Sequence, residues 1–192
     1  TGADSGPLAT VLVFLGSLTY ALVYTVWLKR RTVWNVVIGG AAGSFALLAG
    51  AAAAADPFGP LISPEALILA AVLFLWTPPH FWALAVARGE DYRRAGIPML
   101  PVVTEPEVWG PTIFLHVAAL VGLSLLPLML GLGWIYGLFA LGAGLHFLRT
   151  SWALMRAPGK QTAMTCFRAS LYHFAALALG VILQGAFDRI VA

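Results

Sequence analysis

The stretch WTPPHFWALAVARGEDYRRAGIPMLP, residues 76–101, holds most of what decides how this chain is built. Its first half closes an apolar run reaching back to Glu65, long enough to cross a hydrocarbon core of about 30 Å, for which ~20 helical residues suffice. Pro78 and Pro79 lie inside that run, where each removes a backbone donor. The helix is therefore expected to bend and to free carbonyls that need other partners, often at a cavity. Trp76, His80 and Trp82 stand around the kink at membrane depth, away from the interfacial belt. They read either as a pocket lined by aromatic faces or as aromatic packing about a structural kink. The second half is charged. Asp91 stands three residues from both Arg88 and Arg94, which puts the three on one face of a helical turn. Such a cluster is either a solvated interfacial patch or a place where a carboxylate holds a divalent cation while arginines face an anion. Magnesium takes carboxylate oxygens together with substrate phosphates.

Working outward, five more apolar runs match the first. The six spans read as 7–28, 33–55, 65–88, 109–130, 134–155 and 167–190, and the whole chain, 1–192, reads as a single all-α, multi-pass transmembrane bundle. The runs are continuously apolar rather than alternating, which favours helices over barrel strands. Composition agrees: 60% of residues are hydrophobic and 10% charged, against about 45–50% and about 25% in soluble domains. Lipid is the expected solvent. Ten of the eleven Lys and Arg fall in or beside the first, third and fifth connections, so those connections are expected in the cytoplasm and both termini outside. A net charge of +3 with no basic stripe argues against nucleic-acid binding. The connection 88–109 is the longest and most charged, a loop where function is expected. The connection 55–65, with Pro57, Gly59, Pro60 and Pro64, reads as a turn-rich linker, and 131–133 as a tight hairpin.

The first connection, Lys29-Arg30-Arg31, is a positive-inside anchor or a clamp for a diphosphate on the same side as Asp91. Asn35 follows and is a helix cap or a ligand contact. His80, His116, His146 and His173 each fall about 9–14 Å from the cytoplasmic end of their helices, a depth at which a polar layer hints at an inward-opening cavity, although hydrogen-bonded structural roles serve equally. Gly39-x-x-x-Gly43 and Gly133-x-x-x-Gly137 allow close helix packing. Cys166 is the single cysteine and reads as a small core residue. No nucleophile elbow, Walker loop, CxxC pair or HExxH occurs, so hydrolase, nucleotidase and zinc chemistry find no support.

Residues 24–35 with VIGGAAG (37–43), and residues 76–103 with their PPHFW and DYRRAGIPMLP, closely resemble the protoheme IX farnesyltransferase (heme O synthase) branch of the UbiA-type intramembrane prenyltransferases. Similarity continues more weakly through FRASLY (167–172). The resemblance implies a nine-helix bundle in the inner membrane with a cavity opening to the cytoplasm, farnesyl diphosphate bound with magnesium, and heme b as acceptor. It also implies a heme A synthase or oxidase-assembly partner. Carried over by position, Asp91 is the metal-side carboxylate, Lys29, Arg30 and Arg94 face the diphosphate, and Tyr24 sits near the ionising carbon. Asn35, Trp76, His80 and Trp82 are candidates for the substrate pocket. The physical logic stands beside the name: ionising a diphosphate needs metal and basic groups on the leaving oxygens, and the resulting cation needs a dry aromatic wall.

Two features depart from the family pattern. Its first acidic motif, Asn-x-x-x-Asp-x-x-x-Asp, is absent from the eight acidic residues here, and SFAL (44–47) stands where a proline pair is usual. With six spans and Thr1 in place of methionine, the expectation is a C-terminal portion preceded by three more helices and inactive alone. Two alternatives stay open: a prenyltransferase acting on a quinone or other aromatic ring, and a non-enzymatic heme-binding or transporter module.

Overall fold

The computed structural model describes residues 6–55 and 62–191; Pro57, Gly59 and Pro60 of the turn-rich linker lie outside them. Among the described residues no strand occurs, and the chain runs as α1 (Gly6–Leu18), a π-helical segment (Thr19–Leu28), α2 (Asn35–Gly39), α3 (Ala41–Ala53), α4 (Pro64–Ala87), α5 (Gly89–Arg94), α6 (Leu100–Val103), α7 (Pro106–Met129), α8 (Trp134–Arg156) and α9 (Lys160–Val191). The protein is an all-helical, multi-pass membrane protein. Five spans are long and apolar enough to cross a bilayer: Gly6–Leu28, Asn35–Ala53, Pro64–Ala87, Pro106–Met129 and Lys160–Val191. α8 has the length but is less apolar, and it lies between α7 and α9.

Local chemistry sets the ends. Ser63 caps α4 by accepting from the Ala66 N–H at 3.2 Å, with Pro64 in the first turn. α7 opens with Pro106 and Glu107 in its first turn, three residues before the expected 109. The α7–α8 hairpin turns on Gly131 and Gly133, both at positive φ. Gln184 of α9 pins that hairpin by accepting from the Ile135 N–H at 3.0 Å, and a Cβ on Gly133 would collide with it.

Three expectations change. The first span is not α-helical throughout, because its second half winds with i−5 bonds: the Lys29 N–H donates to Tyr24 O at 2.8 Å, and Thr25 Oγ1 donates to Tyr20 O at 2.8 Å. The long loop after α4 is built from α5 and α6, separated by Gly96 at φ 65°. α9 begins at Lys160 rather than 167; its 32 residues extend about 48 Å, well past a hydrocarbon core, so its polar first turns overhang the membrane. α4 runs unbroken through Pro78 and Pro79.

Two cores form. The larger joins α4, α7, α8 and α9 around Trp82, Ile113, Val117, Leu120, Tyr136, Phe147 and Leu154. The smaller joins α1 and α3 through Leu12, Ala49 and Ala52. Small residues let the helices close up: Cβ atoms on Gly43, Gly137 and Gly144 would meet Leu73, Leu128 and Val121. Ser44, where the family's proline pair is usual, donates to Ala70 O at 2.8 Å and ties α3 to α4.

Candidate active site

The site grows from three segments. The first is the π-helical arm. Its i−5 repeat brings Lys29, rather than Leu28, into line with Tyr24, and the Lys29 ammonium stands 5.6 Å from the Tyr24 ring centroid. The other edge of that ring rests on Gly39, where a Cβ would come within 2.6 Å of Tyr24 Cδ2. Arg30 and Arg31 are exposed. Asn35 is fully buried and does not cap α2. Its Nδ2 donates to Thr32 O at 2.6 Å and reaches Pro98 O at 3.5 Å, while its Oδ1 is buried with no partner.

The second segment is α5. Asp91 pairs with Arg94 at 3.1 Å and with Arg88 at 3.7 Å, as the i±3 spacing implies, and Glu90 pairs with Arg93 at 2.7 Å. All are exposed side chains. Tyr92 turns inward onto the main core, and burial raises its phenol above the ordinary value, so it stays neutral at physiological pH. Tyr92 and Tyr24 both pack against the main core. The Asn35–Pro98 contact brings the first and third connections together at one end of the bundle.

The third segment is the step between α4 and α9. Trp76 stacks on His80 with centroids 4.2 Å apart, and Phe167 covers the imidazole at 4.6 Å. Trp76 Nε1 donates to Ser170 O at 2.8 Å, and His80 Nδ1 lies 2.7 Å from Ser170 Oγ. Beyond Trp76 an apolar cavity of about 600 Å³ opens among Leu47, Leu69, Leu73, Phe174 and Leu177. It extends away from α5, toward the ends of α3 and α9.

The four pocket candidates do not share one lining. Trp76 and His80 belong to the α9-facing step. Trp82, two residues or about 200° further round the helix, points to α7, where it meets His116 edge-on at 5.0 Å with its indole N–H unpartnered. Asn35 sits at the seam between connections. Nor do the histidines line one cavity: His146 lies near Tyr172, and His173 is buried beside Phe147 with both ring nitrogens unpartnered. Sequence reasoning did not assign Phe167, Ser170 and Phe174 to the site; the family likeness of 167–172 was the available signal for the first two.

Among the described residues no group of three His, Cys, Asp or Glu side chains could hold a metal ion. Asp91 and Glu90 are already engaged by arginines. This donor set does not make a freestanding metal site, but it fits a divalent ion bound chiefly through diphosphate oxygens with Asp91 as one protein ligand.

The sequence profile of the UbiA prenyltransferase family matches residues 3–179. The chain belongs to the UbiA prenyltransferase family. It is 54% identical over 177 residues, 92% of this chain and 60% of the relative, to protoheme IX farnesyltransferase 2 of Paramagnetospirillum magneticum. It is 47% identical to protoheme IX farnesyltransferase 1 of the same organism, covering 88% of this chain and 59% of that one. With the protoheme IX farnesyltransferase of a Roseiflexus species the identity is 42%, over 96% of this chain and 33% of the relative. The chain thus spans less than two thirds of the length of each. No solved structure matches it. As a UbiA-family chain it carries both segments on which the resemblance rests, and they meet in the fold.

Proposed function

We propose that this chain forms part of an enzyme that transfers a farnesyl group from farnesyl diphosphate to a vinyl group of protoheme IX, giving heme O, at the cytoplasmic face of the inner membrane. The observation that carries this reading is the meeting of the first and third connections, where Asn35 Nδ2 reaches Pro98 O. It sets the basic Lys29, Arg30 and Arg94 at the same end of the bundle as Asp91. Six crossings, with α8 as the fifth, keep the three basic connections on one membrane face.

On this reading the allylic C–O bond breaks and its electron pair leaves with the diphosphate, whose charge the basic side chains stabilise. Magnesium, when bound, supplies further charge on the leaving oxygens, and Asp91 is the residue that would hold it. Tyr24 and Trp76 offer ring faces to the allylic cation. The hydrocarbon tail runs past Trp76 into the apolar cavity, whose volume of about 600 Å³ falls in the usual range for ligand sites. The vinyl π electrons then form the new C–C bond. The heme product passes to a heme A synthase or oxidase-assembly partner.

The test is direct. Membranes expressing the whole gene product are incubated with heme b, farnesyl diphosphate and magnesium, and pigments are resolved by mass. Heme O formation, lost on chelation of the metal, is the expected result. Prenylation of an added quinone precursor with no heme product would overturn the acceptor. A histidine-type Soret band with no prenyl transfer would overturn the enzyme reading in favour of a heme-binding module.

A further inference from the structure

Resting on that reading, we propose that His80 is the base that takes the proton from the water that hydroxylates the farnesylated vinyl group. Attack of the vinyl group on the farnesyl cation leaves the positive charge on the vinyl carbon next to the porphyrin ring. Two fates follow. Water adds through its oxygen lone pair and loses a proton, giving the hydroxyethyl product; or the neighbouring methylene loses a proton, giving an alkene one water lighter. A base beside the water rather than beside the methylene favours hydration, because it takes the proton as the C–O bond forms.

His80 has the geometry of a base with a fixed tautomer. Ser170 has one hydroxyl hydrogen, and its Oγ donates to Phe167 O at 2.6 Å. That leaves only acceptor capacity toward His80, so Nδ1, 2.7 Å away, is the protonated nitrogen. The lone pair is therefore on Nε2, which has no hydrogen-bond partner among the described residues. The ring is held between Trp76 and Phe167 at 4.2 and 4.6 Å, so Nε2 has a fixed aim.

Its depth is also right. Gly39 abuts Tyr24, and Gly40 abuts Thr77 of α4. Tyr24, assigned to the ionising carbon, and Thr77 thus stand at the same level, and His80 is one turn, about 5 Å, from it. The remaining histidines stand elsewhere: His116 shares the tautomer, its Nδ1 donating to Thr112 O, but packs on Trp82 on the α7-facing side of α4, His146 lies by Tyr172, and His173 is sealed in the core.

The experiment measures the ratio of hydroxylated to alkene product among farnesylated hemes, from membranes expressing the whole gene product. In His80→Ala the ratio should fall by about a hundredfold, the usual scale of a general base. In Ser170→Ala, where either nitrogen can carry the proton, it should fall several-fold. A wild-type ratio in His80→Ala overturns the proposal. Should His80→Ala yield no farnesylated heme, Ser170→Ala decides, and a wild-type ratio or an absence of product there overturns it equally. Failure of the wild-type enzyme to farnesylate heme would instead sink the reading on which the proposal rests.

Discussion

In the span Gly6–Leu28, 11% of the most apolar stretch is buried within the protein; in Pro64–Ala87 the figure is 39%. Within the described residues the first span is packed along one side, with Phe14, Tyr20, Val26 and Trp27 all more than half exposed. It touches the rest mainly through α3, at Leu12, Gly16, Ala49 and Ala52, and through Tyr24 on Gly39. The second threads a block of four helices whose centre is filled by Trp82, Ile113, Tyr136 and Phe147. The two halves of the candidate site thus stand on unequal supports: the basic arm on a lightly held π-helical segment, the acidic α5 at the end of a packed helix. In lipid, apolar surface alone gives no reason for helices to associate, so packing and hydrogen bonds decide which span is held. On the proposed reading, this difference gives the arm more room than the block to adjust as substrate charge arrives.

The largest effect that would break this contrast lies in the block. Phe147→Ala, at a fully buried site, should cost about 3–5 kcal/mol, whereas Phe14→Ala, 64% exposed, should change stability by less than about 0.5 kcal/mol. Thermal unfolding in detergent measures both. Equal losses would mean that the first span is held as tightly as the four-helix block.

Next comes α5. Asp91→Asn should lower farnesyl transfer by about a hundred- to a thousandfold, the scale of one removed charge-stabilising group. Stability should change by no more than about 1 kcal/mol, because the pairs with Arg88 and Arg94 are exposed. Turnover and unfolding measured on the same preparation separate the two. A stability loss matching the activity loss would make Asp91 structural.

How much of this was legible in the sequence follows from which physics each feature depends on. Long apolar runs fixed the positions of the major helices to within a few residues, and the i±3 spacing around Asp91 foretold both of its arginine pairs. That the first and third connections share one face follows from an even count of crossings and the charge bias. The π winding was not legible, since i−4 and i−5 bonding differ by less than apolarity can register, and with it went the approach of Lys29 to the Tyr24 ring. The start of α9 was missed because its first turns, Lys160 to Thr165, are too polar to extend an apolar run. Treating Trp76, His80 and Trp82 as one lining overlooked that two residues turn an α-helix by about 200°. Ser170 and Phe167 lie some ninety residues from His80, and nothing local in either segment announces the partner.

The finest test places the same collision in both regions. A Cβ on Gly39 would come to 2.6 Å from Tyr24 Cδ2 in the arm, and one on Gly144 to 2.7 Å from Val121 Cγ1 in the block. Each overlap must be relieved by movement. Around Gly144 the neighbours are close-packed and Val121 is stiff at χ1, so Gly144→Ala should cost about 1–3 kcal/mol, with little effect on turnover per folded molecule. Around Gly39 the neighbour that yields is the Tyr24 ring, on a segment with few other contacts, so Gly39→Ala should cost less than about 1 kcal/mol. On the proposed reading, the displaced ring carries the phenol away from the ionising carbon and Lys29 away from the diphosphate. Turnover should then fall by about tenfold, the order expected when a catalytic group shifts by a fraction of an ångström to an ångström. Tyr24→Phe in the same assay sets how much of that loss belongs to the hydroxyl. If Gly39→Ala instead loses stability and keeps its turnover, the arm is as rigid as the block, and the unequal support argued for the two halves of the site is wrong.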